Sequence, residues 1–175
     1  MRTFAREHSY DAAPAEVVLL WRDPEFLRAV GARFGGVGEP VVEPAGAVVR
    51  VTTQRELPMD KLPSFVKRFV ASGTLTQVDE WPADPAVAEE PLSGTWTVTG
   101  RMPATMRGRQ TVSASGSGCT VEVTGSIDVS APLVAGRIED MISREITKLI
   151  GAQQEYAARW LAGERPEPPS LDPTG

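Results

Sequence analysis

Histidine and cysteine each occur once in these 175 residues, as His8 and Cys119. A single histidine cannot assemble a multi-histidine metal site, and a lone cysteine offers no metal-ligand spacing. It also excludes an intramolecular disulfide, so a reducing, cytoplasmic setting is the simplest expectation. No stretch approaches ~18 consecutive apolar residues, so no membrane-spanning helix is expected. Residues 2–10 alternate polar and apolar, which is not the apolar run of a signal peptide. Basic residues are in deficit, with 18 Lys+Arg against 23 Asp+Glu and a net charge of −5. A nucleic-acid partner is therefore disfavoured, because phosphate binding needs a basic face. No internal repeat is present.

What remains is enough for one folded domain. Hydrophobic residues make up 41% of the chain, against disorder. The domain is expected over residues 1–163. The rest, 164–175, is rich in proline and is expected to be frayed or disordered.

The longest signal is a helix from Pro132 to about Ala162. Val134, Ile138, Met141, Ile142, Leu149, Tyr156 and Trp160 recur on one arc of its wheel. Pro132 after Ser130 serves as its start signal and Gly163 as its stop. A helix of that length needs a long apolar partner, and the chain before it supplies strands. Arg2–Tyr10 alternates. Ala15–Trp21, capped by Asp11, and Glu25–Val30, opened by Asp23-Pro24, read as two short helices. Gly31, Gly35, Gly36 and Gly38 then break the chain. This run follows a helix, whereas phosphate loops follow a strand, so it is not read as one. Strands are expected at residues 37–42, 47–57, 74–81, 92–99, 105–115 and 119–129, with a short amphipathic helix at 64–70 between prolines and Gly73. The fold class is α+β: a curved antiparallel sheet of about seven strands wrapped on the long C-terminal helix.

That order, with Tyr10-Asp11-Ala12-Ala13-Pro14-Ala15-Glu16-Val17 and Trp21-Arg22-Asp23-Pro24-Glu25-Phe26, resembles the helix-grip fold of the START and birch-pollen-allergen-like superfamily, which includes polyketide cyclases. Arg55-Glu56-Leu57-Pro58, Leu62-Pro63, Phe69 and the strand Gln77-Val78-Asp79-Glu80-Trp81 look like an actinobacterial branch of it, a domain of unknown function. The resemblance spans about residues 2–162. It implies a cavity between sheet and helix that often takes an apolar ligand. It carries over no catalytic residue, cofactor or metal.

Glu145 is the sharpest anomaly, since on the wheel it falls at the centre of the apolar arc. A charge there faces the sheet, either as an ion pair with Arg55 or Arg109 or as a polar anchor in a pocket. His8 is an acid/base candidate or a solvated strand residue. Arg6, Arg55 and Arg109 are candidates for an anionic head group or solvated strand positions. The aromatics Trp21, Trp81, Trp96, Tyr156 and Trp160 build the core and line any cavity in it. Leu62, Phe65 and Phe69 form a lid or a packed insertion. Cys119 has no basic neighbour in sequence to make it a thiolate. The expected ligand site is Glu145, His8, Arg55, Trp96, Phe65, Phe69, Tyr156 and Ile138. The expected function is binding of a lipid- or polyketide-like small molecule. The alternatives are a cyclase or dehydratase acting on such a ligand, and an interaction domain with a filled cavity. A cavity of ~300 Å³ or more between sheet and helix separates the first from the last. Nothing in the sequence speaks to oligomeric state.

Overall fold

The structure is a computed structural model that describes residues 1–166, apart from Ser72 and the side chain of Lys61. Most of the expected tail, residues 167–175, lies outside the described residues.

Seven strands form one antiparallel sheet: β1 (Arg2–Tyr10), β2 (Gly36–Ala45), β3 (Val48–Glu56), β4 (Thr74–Pro82), β5 (Leu92–Gly100), β6 (Ala104–Ser115) and β7 (Gly118–Val129). Their order is β1-β7-β6-β5-β4-β3-β2, so β1 and β2 are the two edges. Two helices, α1 (Pro14–Leu20) and α2 (Pro24–Phe34), connect those edges. The insert between β3 and β4 holds one 3₁₀ turn (Met59–Lys61) and α3 (Ser64–Lys67). The last helix, α4 (Ala135–Leu161), lies on the inner face of the sheet against β1 and β7 and touches α1 and α2. This is the expected helix-grip architecture.

Local chemistry explains the ends. In α1 the carboxylate of Glu16 accepts the N–H of Ala13 at 2.8 Å, so the cap is Ala13 with Glu16 and not Asp11. In α2 the side chain of Asp23 accepts the N–H of Glu25 at 2.8 Å, with Pro24 as first helical residue. This helix runs on to Phe34, four residues past the expected stop. Gly31 does not break it. Instead Gly31 makes room for β2 to start back against the helix: a Cβ on Gly36 would lie 2.5 Å from the Cα of Gly31. The stop is Gly35, which takes the left-handed conformation at φ 78°. The expected helix over 64–70 shortens to the single turn of α3.

The long helix starts at Ala135 and not at Pro132, because Leu133 takes a left-handed φ of 68°. Its buried face also differs from the expected arc. Ile138 and Tyr156 are buried, but so are Glu139, Gly151, Gln154 and Ala157, with Ile146 and Ile150 half-buried. The face is thus turned toward Ile146, Ile150 and Ala157, where the guanidinium of Arg6 on β1 crosses Gly151. Past the helix, residues 164–166 fold back on it. Arg165 stacks 4.0 Å from the Trp160 ring centroid, and the Tyr156 hydroxyl donates to the carbonyl of Pro166 at 3.2 Å.

The core lies between the inner sheet face and the helices. Trp81, Phe26, Leu92, Ile127 and Val112 are fully shielded. Each aliphatic or aromatic side chain of that kind contributes about 1.5–3 kcal/mol by burial. Val66 and Val70 of the insert belong to the same cluster, with Met59, Leu62, Phe65 and Phe69 packed on it.

Candidate functional site

Strand β4 reads Thr-Leu-Thr-Gln-Val-Asp-Glu-Trp-Pro. Alternation puts Leu75, Gln77, Asp79 and Trp81 on its inner face. In register, Asp79 lies beside Val51 of β3 and Trp96 of β5. Trp96 lies beside Gly108, Gly108 beside Gly125, and Gly125 beside Phe4. One row thus crosses six strands. The Trp96 indole lies flat across both glycines, and a Cβ at either one would run into its ring. Phe4 abuts it, with ring centroids 5.9 Å apart. The indole N–H of Trp96 is buried and has no acceptor among the described residues.

Asp79 is only 8% exposed. Its carboxyl accepts the Gln77 amide N–H at 2.8 Å and the Gln110 amide N–H at 2.9 Å. It forms no ion pair with the described residues. Burial pushes its pKa up to about 7, and the two amide donors only partly oppose this. At neutral pH the carboxyl is therefore poised between acid and carboxylate. Sequence reasoning missed this residue. Its signal was the strand's period of two, which places Asp79 on the same face as Leu75 and Trp81.

Of the expected site residues, Trp96 sits in this row. Arg55 is on the same inner face, at the end of β3 opposite Leu75. It is half-buried, burial lowers its pKa, and it has no carboxylate partner among the described residues. Asp79 lies four residue steps along β4 from Leu75, about 13 Å at the strand rise, so the two charges do not pair. Phe65 and Phe69 are half-buried on the insert, and the Arg137 guanidinium lies 5.1 Å from the Phe65 ring centroid. Ile138, the next residue, is buried. These three define the insert end of the molecule.

The remaining expectations separate from that group. Glu145 is exposed and pairs with Lys148 at 2.9 Å, so it faces neither sheet nor cavity. The cause is the turned face of α4. Tyr156 belongs to an aromatic cluster with Phe26, Phe34 and Trp160, at centroid distances of 6.1, 5.9 and 6.2 Å. His8 packs edge-on to Tyr10 at 4.7 Å, and burial lowers its pKa against the opposing charge of Glu155. Arg109 donates to Ser93 at 3.0 Å on the outer face. Two cavities, of about 640 and 420 Å³, also lie on that outer face and share Thr95 and Thr97. The larger runs past Arg107, Arg109, Thr124 and Ser126, and the smaller past Arg50 and Glu80. Both open on the side away from α4, whereas the expected cavity lay between sheet and helix. The inner face opposite them is filled by Trp81, Trp96 and Val51. Among the described residues no three His, Cys, Asp or Glu side chains gather to hold a metal, and no helix is long and apolar enough to cross a membrane.

A seven-stranded antiparallel sheet gripping a C-terminal helix, with Asp79 and Trp96 on its inner face, defines a protein of the α+β helix-grip fold. Within that class the chain belongs to the family DUF2505, described as a protein of unknown function, whose family profile matches residues 6–161. No curated protein matches the sequence. Among solved structures it is similar to TTHA0849 from Thermus thermophilus, with 16% identity, TM-score 0.59, and coverage of 94% of this chain and 100% of that one. It is similar to the Zhui aromatase/cyclase from Streptomyces sp. R1128, with 16% identity, TM-score 0.57, and coverage of 94% and 99%. It is also similar to a norcoclaurine synthase point mutant from Thalictrum solved with a transition-state analogue, with 9% identity, TM-score 0.56, and coverage of 92% and 96%. At these identities the likeness is one of fold.

Proposed function

We propose that this chain binds an apolar small molecule, lipid- or polyketide-like, on the inner face of the sheet beneath the insert and α4. The observation that carries the reading is Asp79. A carboxyl buried among tryptophans and held only by two neutral amides is costly to keep ionised. A hydroxyl or carbonyl on an otherwise apolar ligand is the partner that suits it and the unpaired Trp96 N–H. Arg55, Phe65, Phe69 and Ile138 line the approach from the insert end in this reading. The inner face is filled in this structure, so the reading requires the insert, whose Val66 and Val70 pack on the core, to move and open a space of ~300 Å³ or more. The cytoplasmic setting belongs to the same reading, supported by the buried free thiol of Cys119.

The upward shift that burial imposes on the Asp79 carboxyl favours a second reading, an enzyme of cyclase or dehydratase type. A general acid or base works best with a pKa near the operating pH. Asp79 meets that condition at about 7. In that case Asp79 takes the acid/base role for which His8 is the candidate in the sequence.

Native mass spectrometry of gently purified protein tests the first reading. A co-purifying small-molecule mass, lost on denaturation and weakened in Asp79→Leu, is expected. Protein of bare mass that also fails to enhance the fluorescence of N-phenyl-1-naphthylamine overturns it. Conversion of the captured molecule by the parent but not by Asp79→Asn marks the second reading.

A further inference from the structure

The chain is acidic overall, but one end of it is not. Between Leu57 and Gly73 the insert carries three cations, Lys61, Lys67 and Arg68, against one acid, Asp60. The N–H of Ala71 donates to the carbonyl of Arg101 at 2.8 Å, which joins the insert to the β5–β6 turn. The N–H of Ser130 donates to the carbonyl of Pro103 at 2.8 Å, which joins that turn to the lead-in of α4. Arg137, in the first turns of α4, lies over Phe65. Lys67, Arg68, Arg101 and Arg137 are thus gathered at one end, and all four are exposed. The nearby acids of α4 are already paired, Glu139 with the N-terminal amine at 2.9 Å and Asp140 with Arg2 at 3.1 Å.

Leu133 stands in the same lead-in. Its side chain is fully exposed, at 103% of the reference area, and its backbone is left-handed at φ 68°. That conformation is an outlier for a bulky residue and persists only where its surroundings enforce it. The chain therefore holds an apolar side chain outward in the lead-in of α4, four residues before Arg137. Val87, the other interior-loop hydrophobic of comparable exposure, is flanked instead by Asp84, Glu89 and Glu90.

We propose that this end docks on an anionic lipid surface, with Lys67, Arg68, Arg101 and Arg137 facing the headgroups and Leu133 inserted between them. Cations beside a bilayer are attracted by its surface potential, and one inserted apolar side chain adds to the hold. Together they give weak, reversible, salt-sensitive binding. The surface shares the insert with the proposed ligand approach, but neither its four cations nor Leu133 belongs to the inner row, so vesicle binding and ligand capture are read out separately.

Co-sedimentation with vesicles tests this. The full chain is mixed with vesicles of phosphatidylcholine alone, and of phosphatidylcholine with phosphatidylglycerol, at low salt and at about 0.5 M salt. Binding to the anionic vesicles only, lost at high salt, is expected. The double variant Lys67→Glu/Arg68→Glu should bind about tenfold less or weaker still. Leu133→Ser should bind several-fold less. Should Leu133→Ser melt early, Leu133→Gly, which suits the left-handed backbone, replaces it. Arg107→Glu/Arg109→Glu makes the same charge change on the outer face and should bind like the parent. Equal binding to both vesicle types, equal loss in the outer-face variant, or capture of a single-stranded oligonucleotide in place of anionic vesicles overturns the proposal.

Discussion

Asp79 and Glu80 are consecutive carboxylic acids on one strand, and they live in different chemistries. Glu80 points outward, half-exposed, and receives two bonds from the Arg50 guanidinium, at 2.8 and 3.1 Å. Asp79 points inward, is buried beside Trp96, and receives only glutamine amides. The outer acid is neutralised by a partner charge in a solvent-screened setting. The inner acid is instead pushed toward neutrality by taking up a proton. A single step along a pleated strand decides which rule applies, because successive side chains face opposite sides. The difference teaches that acids on the outer face serve solubility and surface pairing, whereas the inner acid is held at a cost that packing alone does not explain.

Changes to the inner row should have the largest effects. Trp96→Ala removes the ring laid over Gly108 and Gly125 and should cost about 3–5 kcal/mol, read by thermal or denaturant unfolding. Loss of less than about 1 kcal/mol would show that the row is not packed as described. Asp79→Asn comes next. The folded pKa of about 7 lies above the ordinary value of 3.8. Between those values the folded state holds more protons than the unfolded one. The parent therefore loses stability as pH rises from about 4 through 7, by a few kcal/mol at most. The asparagine variant lacks this loss. Its melting temperature relative to the parent should climb with pH and be highest near pH 8. A relative melting temperature that is flat or falls over that range would place a partner charge beside Asp79. Glu80→Gln, on the outer face, should cost ~0.5–1 kcal/mol at low salt and almost nothing at high salt. Glu145→Gln should be smaller still, under ~0.5 kcal/mol, because it removes only the exposed pair with Lys148. A larger loss there would restore Glu145 to the interior.

Much of this contrast was written in the alternation of the strands. Period-two patterning marks β1, β3, β5, β6 and β7, and the faces of β5, β6 and β7 follow from it without the register. The face of Asp79 was equally legible, since Leu75 and Trp81 share it, but the polar residues between them made β4 read as a strand of mixed polarity. The partnership with Gln110 was not legible, because it joins residues 31 positions apart through the β4–β5 and β5–β6 registers. On α4 the arc through Val134, Ile138, Met141, Ile142, Leu149, Tyr156 and Trp160 centres Glu145. Weighing Ile146, Ile150 and Ala157 as well turns the face and leaves Glu145 at its edge. Gly31 was read as a helix stop from propensity alone. Its use, the close approach of Gly36, depends on where the chain returns.

The contrast between the two acids rests on an inner carboxyl that burial, without a partner charge, moves to neutrality. The direct measurement is a carboxyl ¹³C NMR titration of Asp79 in the parent protein from about pH 3 to pH 9. The expected result is a midpoint near 7, well above the ordinary aspartate value of 3.8. A midpoint at or below about 4.5 would contradict it, since the inner acid would then be solvated or paired with a cation as Glu80 is with Arg50.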